Sequence, residues 1–127
     1  MKNKVQNMLV FLAVLGALPL AGNAQPHESH PWIQNPANGH FYRLLPAADW
    51  KTSEHWARSL GGHLASISDK NEQDWVFNTF TKDDPQRLLW IGLHRSTPTG
   101  HFAWSDGSPL EYANWFPGEP NNTDNAE

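Results

Sequence analysis

A run of thirteen apolar residues, 8–20, stands near the start of the chain. It is short for a membrane-spanning helix, which needs about 20 such residues. Lys2 and Lys4 precede it, and the small residues Gly22 and Ala24 follow it. Residues 1–24 are predicted to be a secretory signal peptide, with a retained anchor as the alternative. Residues 25–37 are polar and punctuated by proline, which predicts an irregular lead-in. From residue 38 the pattern changes. Asn38-Gly39 marks a turn, and residues 40–45 (HFYRLL) predict a strand. Asp49 suits an N-cap, and Trp50, Ser53, Ala57 and Leu60 recur at helical spacing, predicting a helix over 50–60. Gly61-Gly62 stops it. Residues 63–66 (HLAS) read as a short extended piece. Asp69 and Glu72 have capping-box spacing, and Trp75, Val76, Thr79 and Phe80 form the apolar stripe of a second helix. A charged loop spans 81–87. Residues 88–93 (LLWIGL) are continuously apolar and predict a central strand. Residues 101–105 (HFAWS) alternate like a strand, and Asp106-Gly107 is a strong turn pair. Residues 108–127 have no helical period and read as one long irregular segment.

Two helices with one apolar stripe each must pack on a small sheet, which predicts an α+β fold. Without the leader 103 residues remain, enough for one domain. Seven basic side chains then stand against 13 acidic ones, a net charge of −6. A surface of that sign is a poor partner for nucleic acid or anionic lipid. The chain has no cysteine, so no disulfide closes a loop, and seven tryptophans supply large buried area instead.

Four stretches in order carry a resemblance: residues 60–67 (LGGHLASI), 90–93 (WIGL), 102–115 (FAWSDGSPLEYANW) and 118–122 (GEPNN). Together they resemble the C-type lectin-like domain. The likeness runs from about Gly39 to Glu127, so 38–127 is read as this domain. The resemblance implies two helices on small antiparallel sheets with a long binding loop. Further elements of the family, including its last strands and a Trp-Asn-Asp stretch with more metal ligands, are not present before Glu127. A C-terminally truncated domain is therefore expected. The cysteine usual in the first helix is replaced by Ala57.

Calcium takes six to eight oxygen ligands. Glu119 and Asn121 flank Pro120 and each offer one, and Glu127 offers another. The Asn121 amide donates and the Glu119 carboxylate accepts, the combination a pair of sugar hydroxyls needs. By resemblance, Glu119, Asn121 and Glu127 are calcium ligands and carbohydrate contacts, with mannose-, glucose- or fucose-type specificity. The acidic positions of the family's accessory site fall on Arg95, Thr99 and Asn122, so one calcium at most is expected, on a site that lacks the family's later ligands. Asn121-Asn122-Thr123 is also a glycosylation sequon, and a glycan there would block the loop. Trp115 suits either a sugar-stacking role or an anchor for the loop.

His63, His94 and His101 read as structural histidines. No metalloprotease, nucleophile-elbow or phosphate-loop motif occurs, so no enzyme is expected. The leading expectation is a secreted, calcium-dependent carbohydrate-binding protein whose partners are glycans or glycoproteins, with no stable membrane insertion. The alternatives are a protein-binding domain of the same fold without sugar binding, and a truncated inactive fragment.

Overall fold

A computed structural model describes residues 10–13, 30–95, 97, 100–115 and 117–118. The elements are β1 (Val10–Ala13), β2 (Ile33–Gln34), β3 (Phe41–Leu44), α1 (Trp50–Ser59), β4 (His63–Leu64), α2 (Lys70–Thr81), β5 (Leu93–His94) and β6 (Ala103–Trp104). Alternation shapes β3: Tyr42 and Leu44 are buried while Phe41 is exposed. Asp49 starts α1 by accepting from the Thr52 amide at 2.8 Å. The Thr52 backbone and hydroxyl bonds hold the Asp49 carboxyl below its ordinary pKa. Gly61, at φ 92°, turns the chain out of the helix.

β1 lies between β3 and β4, antiparallel to both, and β2 covers the outer edge of β3. β5 and β6 form a second sheet, with Leu93 opposite Trp104 and His94 opposite Ala103. The Gly92 amide donates to the Ala65 carbonyl at 2.9 Å and ties this hairpin to the end of β4. Tyr42, Leu64, Val76, Phe80, Leu89 and Trp104 belong to one buried cluster. It draws on both helices and both sheets, as two packed layers require.

Two glutamates on the helices lie inside. Glu54 of α1 is 8% exposed and Glu72 of α2 is 5% exposed. Glu54 accepts from the Leu64 amide at 2.9 Å and the Ser105 hydroxyl at 3.1 Å, and its other oxygen lies 2.6 Å from His63 Nδ1. Glu72 accepts from the Ser68 amide at 2.8 Å, from the Ser68 hydroxyl at 2.6 Å, from the Asn38 amide and from the Tyr42 hydroxyl. In a capping box Glu72 would reach back to the amide of the cap itself. Here it reaches one residue further, to Ser68, while Asp69 accepts from the Glu72 amide at 2.8 Å.

Two features differ from the sequence expectations. Of the apolar run 88–93 only Leu93 is strand, as the first residue of β5, with Leu88 exposed and Leu89 buried. Side chains claim its backbone: the Trp50 indole donates to the Ile91 carbonyl at 2.8 Å. In return the Trp90 indole donates to the Ala48 carbonyl at 3.0 Å. Ile33–Gln34, inside the proline-punctuated lead-in, pairs with β3 around a turn in which the Gly39 amide bonds the Asn35 carbonyl. Val10–Ala13 lies within the run read as a leader and forms β1 in the full chain, so removal of that leader would take this strand with it.

Replacing Glu54 by Ala leaves the buried Leu64 amide without its acceptor. A loss of about 3 kcal/mol is expected in denaturant unfolding, against well under half of that for an exposed glutamate. A Cβ on Gly92 would sit 2.6 Å from the Leu64 carbonyl oxygen and 2.8 Å from Ser105 Oγ. Gly92→Ala is therefore expected to cost about 1–3 kcal/mol by the same assay. Burial, then the Glu72 carboxylate, pushes the Tyr42 phenol well above its ordinary pKa. The unfolded phenol ionises near pH ~10 while the folded one stays neutral. Stability is thus fully present below that pH and falls above it. A urea-midpoint profile against pH is expected to fall less steeply above pH ~10 in Tyr42→Phe than in the parent.

Candidate functional site

The loop that carries the Glu-Pro-Asn stretch begins at the β5–β6 hairpin. Trp104 is buried at the hairpin base, and Leu93 lies opposite it. On the neighbouring position His94 stacks on Trp50 of α1, with ring centres 4.7 Å apart and planes 23° apart. One step beyond the last ladder pair, the Arg95 guanidinium carbon lies 4.9 Å from the centre of the Phe102 ring. Phe102 in turn meets Trp115 edge to face, with centres 4.8 Å apart. These contacts form a short ladder from cation to phenyl to indole.

After β6 the chain turns at Asp106-Gly107. Gly107 has φ 81°, its amide bonds the Trp104 carbonyl at 3.1 Å, and Asp106 accepts from the Ser108 amide at 2.9 Å. Burial disfavours the Asp106 charge. The Ser66 hydroxyl, the Ser108 bonds and nearby His63 outweigh it, so the carboxyl sits below its ordinary pKa. Further on, the Tyr112 hydroxyl donates to Gln73 at 3.0 Å and fastens the segment to α2. Pro117 and Gly118 form a turn, with Gly118 at φ 95°. The segment leading to Glu119 is therefore fixed at three places: Ser105 on Glu54, Tyr112 on Gln73, and Trp115 on Phe102.

Glu119, Asn121 and Glu127 lie outside the described residues, as do Thr99 and Asn122. Among the described residues no group of three His, Asp or Glu side chains could hold a metal ion. Arg95, the described member of the accessory-site positions, packs on Phe102. Trp115 is 37% exposed, so it rests on Phe102 while a substantial part of it faces outward.

Glu54, His63 and Ser105 stand together, but the Ser105 hydroxyl donates to Glu54 Oε2 while His63 meets Glu54 Oε1. Serine and histidine share a carboxylate, and the trio is built as a clamp. A nucleophile would need the histidine itself as its proton acceptor. The sequence reading missed Glu54 and Phe102. Phe102 could have been found from the alternation of residues 101–105, in which it stands two places before the buried Trp104.

Comparison with known proteins agrees with this architecture. The family model for the lectin C-type domain matches residues 47–127. Echinoidin from Heliocidaris crassispina is 41% identical over 100 residues, covering 68% of this chain and 68% of its own length. The low affinity immunoglobulin epsilon Fc receptor of Mus musculus is 42% identical over 82 residues, covering 65% of this chain and 24% of its own length. C-type lectin domain family 4 member K of Homo sapiens is 30% identical over 103 residues, covering 78% of this chain and 30% of its own length. The match thus takes in about a quarter of the mouse receptor and under a third of the human protein. With two helices, small antiparallel sheets and a family match over residues 47–127, the chain belongs to the C-type lectin domain family.

Proposed function

We propose that this chain is an exported, calcium-dependent carbohydrate-binding domain of mannose-, glucose- or fucose-type specificity. In this reading residues 1–24 direct export, and Glu119, Asn121 and Glu127 hold one calcium ion. Two neighbouring sugar hydroxyls then replace water on the metal. Each also bonds the loop, donating to the Glu119 carboxylate or accepting from the Asn121 amide. The observation that carries the reading is the root of the loop. The described segment ends at Gly118, in a turn one residue before Glu119, and it is already fastened to α1, α2 and the hairpin. A site raised on fixed supports loses less entropy when it closes on a ligand. The lectin family and the name of the human relative support sugar as that ligand.

A second reading keeps the fold and replaces the sugar with a protein surface. Leu110 and Trp115 are 40% and 37% exposed beside the loop root. The mouse relative is named as a receptor for an immunoglobulin Fc.

Calcium titration of the purified protein, followed by tryptophan fluorescence, separates the two. The sugar reading expects saturable binding of one calcium, reversed by chelator. Mannose should then bind only in the calcium form, and galactose more weakly. Glu119→Gln should weaken calcium by about tenfold or more, since a charged ligand is lost. A folded protein that responds to neither calcium nor mannose is the outcome expected of the protein-binding reading.

A further inference from the structure

We infer that Asn38 is a site of spontaneous deamidation that the fold protects, and that its conversion to a carboxylate loosens the network around Glu72. Asn38-Gly39 is the chain's one Asn-Gly pair. Glycine has no side chain to hinder attack by its backbone nitrogen on the Asn38 carboxamide carbon. In that step the bond between the Gly39 nitrogen and Asn38 Cγ forms, and Nδ2 leaves as ammonia, taking the proton of the Gly39 amide. Water then opens the cyclic imide to aspartate, or to isoaspartate in which the chain runs through the side-chain carbonyl. Water is the only co-reactant, and nothing is oxidised or reduced. Asn38 and Gly39 are both exposed, so water reaches them.

Both reacting groups are tied in the folded chain. The Gly39 amide donates to the Asn35 carbonyl at 2.8 Å, so the proton of the nucleophile is engaged. Asn38 Oδ1 accepts from the His40 amide at 2.9 Å. Asn38 Nδ2 donates to the Tyr42 hydroxyl at 3.1 Å and to Glu72 Oε1 at 3.3 Å. Attack requires the carboxamide to swing onto the Gly39 nitrogen, which breaks these bonds together. The reaction therefore runs from an opened turn, and its rate follows how often that turn opens. The product changes one side of the network. An aspartate at this position can still accept from the His40 amide, but it has no Nδ2 to donate. The groups that Nδ2 meets are the Tyr42 hydroxyl, which itself donates to Glu72, and the Glu72 carboxylate, which is 5% exposed. A second carboxylate there repels the first and leaves it one donor short. The damage falls on the joint between α2 and β3.

The test follows amide loss at Asn38 in the full chain at mildly alkaline pH, in native buffer and in unfolding urea, by peptide mass and an isoaspartate assay. Loss is expected to be at least about tenfold slower in native buffer. Tyr42→Phe, which removes one bond to Nδ2, should speed the loss in native buffer and leave the rate in urea unchanged. In urea unfolding, Asn38→Asp is expected to lower the midpoint by about 1 M. Asn38→Ser drops the Nδ2 bonds without adding charge, and its midpoint should lie between those of Asn38→Asp and the parent. Equal rates of loss in native buffer and in urea overturn the protection. A midpoint for Asn38→Asp no lower than that of Asn38→Ser overturns the effect on Glu72. If Asn38→Asp fails to fold, the two rates in the parent decide. No step passes through the proposed calcium site, so either result leaves the proposed function standing.

Discussion

The carboxylate of Glu54 is the interaction on which the rest of the arrangement depends. It sits on α1 at 8% exposure and meets one donor on β4, one ring on β4 and one hydroxyl just past β6. A buried carboxylate is costly unless its lone pairs are filled. Here β4 and the residue just past β6 must both reach α1 to fill them. Convergence sets the height of the hairpin against α1, and the hairpin carries the loop. Glu72 does the equivalent at the other end of the core, joining α2 to β3 and to the turn at Asn38. In a chain with no cysteine, these two carboxylates join segments of the fold that no covalent bond connects.

The close packing around Glu54 explains the glycine of the 90–93 motif. Gly92 brings its backbone against Leu64 and Ser105, two of the groups that bond Glu54. A side chain at that position would push the hairpin away from the carboxylate. Trp50 and Trp90 reinforce the same junction by exchanging indole bonds with the backbone on either side. Sequence pattern, backbone approach and buried charge thus meet at one point in the molecule.

Both helices are legible in the sequence because their caps and stripes agree: Asp49 and Asp69 cap the helices as their positions suggest, and Ala57, Val76 and Phe80 are buried. The inward turn of Glu54 and Glu72 was not legible, since an acidic residue on a helix ordinarily faces water. The partners of Glu54 lie nine or more residues away, and Glu72 adds Tyr42 and Asn38, 30 and 34 residues back, to the nearby Ser68. β2 was missed because a two-residue strand between prolines gives no alternation to count. The apolar run 88–93 looked like a full strand because composition does not show that two indoles occupy its surroundings. The loop was legible in a different way. Its family came from motifs in order, while its support by Tyr112 on Gln73 and Trp115 on Phe102 needed the fold.

A prepared root suits a site that must hold a small, strongly hydrated ligand, because a sugar supplies little apolar area with which to order a loop. The measurement that tests the sugar-and-calcium reading most directly is an experimental structure of the protein grown with calcium and mannose. The expected result is one metal ion between Glu119 and Asn121, with two adjacent mannose hydroxyls on the metal and Trp115 still against Phe102. A loop without metal at saturating calcium, or mannose held elsewhere without any ion, would contradict it.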